Sequence, residues 1–442
     1  MLYERNTDKM ENETLTKEEQ KLLSEDKKIT KKKNKNINIY LLYRTFSWDL
    51  LFYYAIIYLF LTLEKGISAG EVLLFDGYYV FFKVIMQIPC TIIIQKIGKR
   101  KSLIIANLVL AIHILFIMFA PNFTIILISQ VLCAFSYIIK GTCESDMLYD
   151  SLEANEKRGS IFAKIDGRAN SFYYYVDSIS AILSSFLFVI NPYIPMVICF
   201  IILLATFILS TKFEEIHKIS HKVRILDELK EIKYSFKNIF KSKRLKSLLL
   251  FNGIFVGLLK IIRNLRNTVL VSIGMPEQYF GVIFAVMGII AGIAAKNQGK
   301  IHKKYRNKTL AFMSIPTAIS CLIIGVTVLC NFSYNVTVII LLILFAIQYI
   351  MQGPYYVLIK RYFNNFTNSD KRVKISTTNN ICENLIASVL LFGASSILEN
   401  ITIGYTTIII GCIATILIVL LLDFMREKVG LKPEEYGKKE LL

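Results

Sequence analysis

The sequence predicts an all-α polytopic membrane protein in which twelve transmembrane helices form two six-helix, pseudo-repeated bundles. Three observations support this fold class. Of the 442 residues, 54% are hydrophobic and only 19% are charged, whereas soluble domains carry about 25% charged residues. Twelve apolar runs approach the length of about 20 residues that a helix needs to cross a bilayer. Basic residues are concentrated in alternate loops, as in membrane proteins with a fixed orientation.

The N-terminal half begins with a hydrophilic segment, residues 1–37, which predicts a disordered cytoplasmic tail without a cleavable signal peptide. Residues 38–210 contain six apolar runs and are predicted to form the N-terminal bundle. These runs, numbered here as spans 1 to 6, lie at 39–61, 69–94, 102–120, 123–149, 164–190 and 193–210.

A basic linker, residues 211–246, follows the first bundle and carries apolar residues at helical spacing. It predicts an amphipathic helix on the inner leaflet that either couples the two halves or only tethers them. Residues 247–423 are predicted to form the C-terminal bundle, and residues 424–442 a cytoplasmic tail. Spans 7 to 12 lie at 247–273, 277–296, 309–330, 334–359, 374–399 and 402–423.

The loops predict the orientation of the chain and an internal repeat. Basic loops alternate with loops that lack basic residues, apart from Lys65, which places both termini in the cytoplasm and the chain in the cell membrane. The net charge of +19 is therefore interpreted as attraction to an anionic lipid surface and not as binding to nucleic acid. Tyr137-x-x-x-Gly141 in span 4 corresponds to Tyr349-x-x-x-Gly353 in span 10, which favours a duplicated architecture.

Charged side chains inside the apolar runs predict a polar cavity, because each costs at least about 2.5 kcal/mol near mid-bilayer unless it has a partner or water. Spans 3, 6, 9 and 12 carry no such residue and are expected to face lipid, whereas span 2 carries Asp76 and Lys83. The candidates for a substrate or ion pathway are Trp48, Asp49, Lys140, Glu144, Asp177, Lys260, Arg263, Arg266 and Glu383.

Lys260, Arg263 and Arg266 are spaced three residues apart, which places them on one side of a helix. Two interpretations of these side chains remain open, and they are compatible, because a buried ion pair that breaks and re-forms could also act as a gate. The side chains form an anion-attracting stripe along the cavity, or they pair internally with acids. The acids considered for this pairing are Asp49, Asp177 and Glu383.

These same three acids are candidates for carrying a coupling proton, because burial favours the protonated form of a carboxylate. Trp48, next to Asp49, is suited to stack on a flat or cationic substrate, although packing explains it equally well.

A second group of candidates lies at the predicted cytoplasmic side. Asp146 and Asp150 stand one turn apart at the end of span 4, and Arg158 follows. They predict an ion-pair cluster that holds a gate closed, with ordinary interfacial solvation as the alternative.

The loop after span 2 reads Thr91-Ile-Ile-Ile-Gln95-Lys96-Ile97-Gly98-Lys99-Arg100-Lys101. It resembles the major facilitator superfamily motif Gly-x-x-x-Asp-Arg/Lys-x-Gly-x-Arg/Lys-Arg/Lys, although Thr91 and Gln95 replace the usual Gly and the gating Asp. Residues 141–152 are similar to a branch of poorly described bacterial permeases in this family. The resemblance implies that spans 1, 4, 7 and 10 line a central cavity. The matching residues, which we treat as gate candidates, are Lys96, Gly98, Arg100 and Lys101.

The predicted function is secondary active transport of a small organic solute by alternating access. Export of amphipathic or drug-like compounds, driven by a proton or cation gradient, is the preferred form. In many members of the family that this chain resembles, a midspan Arg in the fourth helix is linked to proton coupling. A Gly-Pro-rich motif in the fifth helix is typical of drug exporters. Spans 4 and 5 lack these features, which counts against a proton-driven drug exporter. Uptake of a sugar or organic anion by symport is an alternative, and a non-transporting receptor or scaffold is another.

An enzyme is not expected, because the four histidines and eight cysteines show neither a catalytic motif nor metal-ligand spacing. The expected partners are the solute, the coupling ion and the bilayer. The chain is predicted to be a monomer without cofactor or metal.

Overall fold

The computed structural model describes residues 17–153, 158–216, 243–330, 332–365 and 372–428, with isolated residues between 230 and 240. This part of the chain forms two bundles of α-helices. The N-terminal bundle contains α1 (Lys17–Ser47), α2 (Ile57–Leu59), α3 (Ala69–Ile97), α4 (Lys99–Phe119), α5 (Phe123–Ser151), α6 (Arg158–Ile190) and α7 (Tyr193–Thr211). The C-terminal bundle contains α8 (Lys243–Ser272), α9 (Gln278–Lys296), α10 (Gln298–Tyr305), α11 (Thr309–Leu329), α12 (Tyr334–Asn365), α13 (Arg372–Asn400) and α14 (Ile403–Lys428).

Eleven of the described helices are long and apolar enough to cross a membrane. They correspond to spans 2 to 12, so the prediction of an all-α polytopic fold is confirmed. The helices α2 and α10 are too short to span a bilayer.

Span 1 differs from the prediction, because residues 39–61 do not form one continuous helix. The helix α1 ends at Ser47, the chain turns through residues 48–56, and α2 leads into a single π-helical stretch at Phe60–Glu64. Phe52 has a φ of 61°, a backbone conformation that is unfavourable for a bulky side chain. Irregular backbone at membrane depth is tolerated where it is buried in protein or lines an aqueous cavity.

The predicted terminal tails and the linker are described only in part. Residues 17–37 belong to α1 and are helical instead of disordered, since this segment is rich in the strong helix formers Lys, Glu and Leu. The helix α14 extends to Lys428, beyond the predicted end at 423. Residues 1–16, 217–229 and 429–442 lie outside the described residues, as does most of the predicted amphipathic helix. Within the linker, the rings of Phe236 and Phe240 stack with centroids 6.3 Å apart.

The two bundles meet at one end, which we call the short-loop end; it carries the loops 65–68, 120–122, 191–192, 273–277 and 401–402. A hydrophobic core at this end contains buried residues of both bundles, among them Phe60 and Phe280. The Tyr58 hydroxyl donates a hydrogen bond across the interface to Thr268 Oγ1 at 2.9 Å. The Ser395 hydroxyl likewise donates to the carbonyl oxygen of Gly70 at 2.8 Å.

At the opposite end, which we call the basic end, each bundle has a core of its own. Tyr40, Cys90 and Met147 pack within the N-terminal bundle, while Leu249 and Cys382 pack within the C-terminal bundle. The described helices therefore join at the short-loop end and form a cleft between the bundles toward the basic end.

Candidate functional site

The break in span 1 places Asp49 at the wall of this central cleft. Asp49 Oδ1 accepts hydrogen bonds from the Leu50 backbone N–H at 3.0 Å and from the Tyr137 hydroxyl. The hydroxyls of Tyr54 and Tyr137 lie 3.3 Å apart. Because α1 stops before Asp49, its carboxylate lies among tyrosines of α5 and of the turn that follows α1.

A second carboxylate, Asp177 on α6, lies on the same side of the cleft. Asp49 and Asp177 are close enough to interact electrostatically, and both also interact with Tyr173. The Trp48 and Tyr173 rings are tilted relative to each other, with centroids 6.2 Å apart. Two like charges near one another favour a proton or a cationic group between them.

Glu144 on α5 is instead enclosed within the N-terminal bundle, where it is 2% exposed. Its carboxylate accepts hydrogen bonds from Tyr43 at 2.8 Å, from Ser47 at 3.0 Å and from Arg44. Lys140 Nζ lies 3.8 Å from Glu144 Oε1. Both carboxylate oxygens therefore have partners within the N-terminal bundle, and Glu144 is held by its own bundle.

Arg263 on α8 forms an ion pair that joins the described parts of the two bundles. Its Nη2 lies 2.7 Å from Asp76 Oδ2 on α3, and Asn264 donates to the same oxygen at 2.8 Å. The partner acid is therefore Asp76, which the sequence analysis noted but did not include among the acids considered for pairing. The Arg263 side chain remains 50% exposed, so it also faces the cleft.

Lys260 and Glu383 lie further toward the basic end, on α8 and α13. Lys260 Nζ lies 3.3 Å from Asn384 Oδ1, and Glu383 accepts a hydrogen bond from Asn252 at 2.8 Å. Lys83, which was not among the candidates, interacts electrostatically with both Glu383 and Asp49. The wall of the cleft thus carries acids near the break in span 1 and lysines facing α13.

Arg266 does not continue the stripe that its spacing suggested. It is 2% exposed and its guanidinium lies 4.1 Å from the centroid of the Tyr349 ring on α12. The three basic residues therefore have different environments. Lys260 contacts an amide, Arg263 pairs with a carboxylate of the other bundle, and Arg266 lies in the interior of the C-terminal bundle.

The gate candidates around Gly98 are held by residues of the N-terminal bundle. Gly98 has a φ of 90°, which glycine adopts without strain, and it separates α3 from α4. Glu215 accepts hydrogen bonds from the backbone N–H groups of Lys99 at 3.2 Å and Arg100 at 2.8 Å. These bonds satisfy donors that the start of a helix leaves unpaired.

Lys99 connects this loop to the acids at the end of α5. Its Nζ lies 2.7 Å from Asp150 and 3.3 Å from Asp146. Lys96 and Lys101 are exposed, and Arg158 donates to the Tyr149 carbonyl oxygen at 3.0 Å. All these described partners belong to one bundle, so the cluster ties a loop to its own bundle in this conformation; its role as a gate stays a prediction.

Sequence reasoning missed residues of two kinds. Asp76 and Lys83 carried a usable signal, because each is a charge within an apolar run. Tyr54, Tyr137 and Tyr173 carried none, since tyrosine is common in transmembrane helices and only the break after Ser47 brings them around Asp49.

The arrangement agrees with comparisons to known proteins. The sequence model described as Major Facilitator Superfamily matches residues 40–329. The crystal structure of nucleoside transporter NupG aligns with a TM-score of 0.70 at 10% identity, covering 89% of this chain and 99% of that chain. A POT family transporter in complex with thioalcohol conjugated peptide aligns with a TM-score of 0.66 at 11% identity, covering 90% of this chain and 96% of that chain.

A second crystal structure of a POT family transporter, in complex with 5-aminolevulinic acid, aligns with a TM-score of 0.65 at 11% identity and covers 90% of this chain and 96% of that chain. No curated protein matches the chain significantly. Identities this low show a common fold and leave the solute open.

Proposed function

Because the chain belongs to the major facilitator superfamily and is a secondary transporter of a small solute, we propose that its solute is an amphipathic organic cation. Export driven by an ion gradient is the proposed direction. The observation that carries this proposal is the position of Asp49, a carboxylate surrounded by aromatic rings at the break in span 1.

Aromatic rings and carboxylates together form a favourable site for an organic cation. Ring faces attract a cation by about 0.5–2 kcal/mol each, more when water is excluded. Tyr173 supplies such a ring, whereas one face of the Trp48 ring is covered by the Arg44 guanidinium, 3.8 Å from its centroid. Asp49 and Asp177 supply carboxylates that form no ion pair among the described residues. An amphipathic solute would place its charged group at these acids and its apolar part along the tyrosines.

The same two acids support the proposed coupling ion. Binding of the cationic solute and binding of a proton both relieve the repulsion between Asp49 and Asp177, so the two compete for one site. Competition of this kind gives exchange, in which a proton enters as the solute leaves.

The closed short-loop end supports transport by alternating access. If the basic end faces the cytoplasm, as the loop charges predict, then this conformation exposes Asp49 and Asp177 to the cytoplasm. The opposite conformation requires the interface at the short-loop end to open, including the Arg263–Asp76 ion pair.

An organic anion taken up by symport is the second candidate, because one observation favours it. Lys260 contacts the neutral amide of Asn384 at 3.3 Å, so its charge is available to a carboxylate or phosphate. Lys83 on the other bundle interacts electrostatically with Lys260.

The test is solute flux in proteoliposomes that contain the purified full-length chain, with and without a pH gradient. Cationic dyes and organic anions are measured separately in vesicles of known protein orientation. We expect dye flux that a pH gradient accelerates, with accumulation in vesicles whose protein exposes the basic end outward. Flux of anions alone, abolished by Lys260→Gln, would favour the second candidate.

Asp49→Asn is the decisive variant. A hydrogen bond to a charged group contributes about 1.5–3 kcal/mol, so we expect dye flux to fall about tenfold or more. Asp423→Asn is the matched control, since Asp423 is an exposed acid near the end of α14 and is neither a pathway nor a gate candidate. Equal dye flux in the two variants would overturn the proposed role of Asp49.

A further inference from the structure

A small cavity lies inside the C-terminal bundle, separate from the central cleft. Its lining includes Arg266 on α8, Cys321 on α11, Gln348 on α12 and Thr407 on α14, and apolar side chains of α8, α11 and α12 complete the wall. Arg266 and Gln348 are 2% and 1% exposed. The cavity has room for one small guest, such as a water molecule or a monatomic ion, so an organic solute does not fit.

Several polar atoms of this lining have no hydrogen-bond partner in the part of the chain that the structure describes. They are Nε and Nη1 of Arg266 and both Oε1 and Nε2 of Gln348. The Thr407 hydroxyl donates to the Ile403 carbonyl oxygen and forms no described hydrogen bond with any of these four atoms. Buried polar groups are paired in more than nine cases out of ten, so unpaired donors that line one cavity indicate a guest that accepts hydrogen bonds.

The charge of Arg266 indicates which kind of guest fits. A guanidinium stays protonated in proteins, and no described carboxylate forms an ion pair with Arg266. The Tyr349 ring, 4.1 Å away, attracts the cation but carries no net negative charge. A water molecule would accept hydrogen bonds without neutralising the charge, whereas a monatomic anion does both.

We propose that Arg266 and Gln348 bind a small inorganic anion, for which chloride is the probe, within the C-terminal bundle. The anion accepts hydrogen bonds from Arg266 Nε or Nη1 and from the Gln348 amide. It thereby stabilises the packing of α8 against α12. This inference does not depend on the identity of the transported solute.

The test measures thermal unfolding of the purified full-length chain while chloride replaces gluconate at constant ionic strength. We expect the melting temperature to rise and then saturate with chloride, as linkage to a single site requires. Arg266→Gln should remove this dependence. The matched control is Arg158→Gln, because Arg158 also stacks on a tyrosine, 3.9 Å from the Tyr149 ring, but lies at the exposed basic end.

A second variant keeps the test decisive if Arg266→Gln does not fold. Gln348→Leu retains the guanidinium and removes the amide donor, and we expect the chloride concentration at half-effect to rise at least threefold. X-ray diffraction from crystals of the protein grown with bromide would locate the anion directly, as an anomalous signal between α8 and α12. The proposal fails if wild-type unfolding shows no saturable chloride dependence, if Arg158→Gln abolishes that dependence, or if only water occupies the cavity.

Discussion

Two of the arginine–carboxylate pairs in the described spans, Arg44 with Glu144 and Arg263 with Asp76, differ in what they connect. Arg44 and Glu144 belong to the same bundle, with side chains 11% and 1% exposed. Arg263 and Asp76 come from different bundles, with side chains 50% and 16% exposed. In the proposed transport cycle, the first pair would stay intact while the bundles move as units, whereas the second would break when the short-loop end opens. Similar chemistry therefore supports cohesion in one place and conformational change in the other.

The largest effect is expected from Glu144→Gln, which should reduce stability. The variant leaves Lys140 buried without its acid and leaves Arg44 with only the more distant Asp166, 3.7 Å away. Breaking a buried pair in this way costs about 3–5 kcal/mol. Thermal unfolding of the purified protein, followed by circular dichroism, measures the change. Asp146→Asn removes an acid of the same helix from an exposed position and serves as the control. Equal melting temperatures for the two variants would show that Glu144 is not essential to the bundle.

The next effect is expected from Asp76→Asn, which should shift the conformational equilibrium and leave each bundle folded. Loss of a charge-assisted bond at the interface removes about 1.5–3 kcal/mol from the closed short-loop end. Spin labels at Pro121 and Phe332, which lie in exposed loops of the two bundles, would report a larger population of long distances. The exposed cysteines Cys330 and Cys412 are first replaced by serine.

A charge swap sharpens this prediction. Asp76→Arg combined with Arg263→Asp should restore the short distances, because the pair is re-formed with opposite polarity. If Asp76→Asn leaves the distance distribution of the wild type unchanged, the pair does not hold the short-loop end closed.

The contrast between these pairs also shows what the sequence could predict. Hydropathy and loop charge located spans 2 to 12 because apolar length and basic flanks are local properties of the chain. They also flagged Arg263 and Glu144 as charges that needed partners. Pairing depends on which helices face each other across the bundles, so Asp76 could not be chosen over Asp49, Asp177 or Glu383.

The interruption of span 1 was beyond sequence reasoning for a related reason. Residues 48–56 contain neither glycine nor proline, the residues that usually mark a break. The positive φ at Phe52 is sustained by tertiary packing, since Leu50, Leu51 and Tyr53 on either side of it are buried.

A steric change at the bundle interface should have a smaller effect in the same direction as Asp76→Asn. The Gly281 backbone N–H donates to Ser185 Oγ at 2.8 Å, and a Cβ at this position would lie 1.9 Å from the Ala181 carbonyl oxygen. We expect Gly281→Ala to separate α9 from α6, with an overpacking cost of about 1–3 kcal/mol. The same spin-label distances measure the shift.

Gly288 supplies the matched control, because it lies on the same helix and a Cβ there would have no neighbour within 4 Å. Gly288→Ala should retain the wild-type distances. Lengthened distances in both variants would point to helix propensity, and not to contact between the bundles, as the cause.

The smallest effect on stability is expected from breaking the ion pair of Lys35 with Glu214. Their side chains are 47% and 29% exposed. Exposed pairs contribute less than about 1 kcal/mol, although their nitrogen and oxygen atoms here lie only 2.7 Å apart. The hydrogen bond from Lys35 lowers the pKa of Glu214 below its ordinary value. Its stabilisation is therefore present above the ordinary glutamate pKa and is lost as the pH falls through the lowered value.

Lys35→Gln should accordingly reduce the melting temperature slightly near neutral pH, and the difference from wild type should shrink in acid. Lys32→Gln provides the comparison, since it removes a nearby lysine without breaking this hydrogen bond. A difference that stayed constant with pH would mean that Lys35 acts by packing along α1. Because the Arg44–Glu144 pair is buried and the Lys35–Glu214 pair is not, a larger loss of melting temperature in Glu144→Gln than in Lys35→Gln would show that burial strengthens an ion pair in this fold.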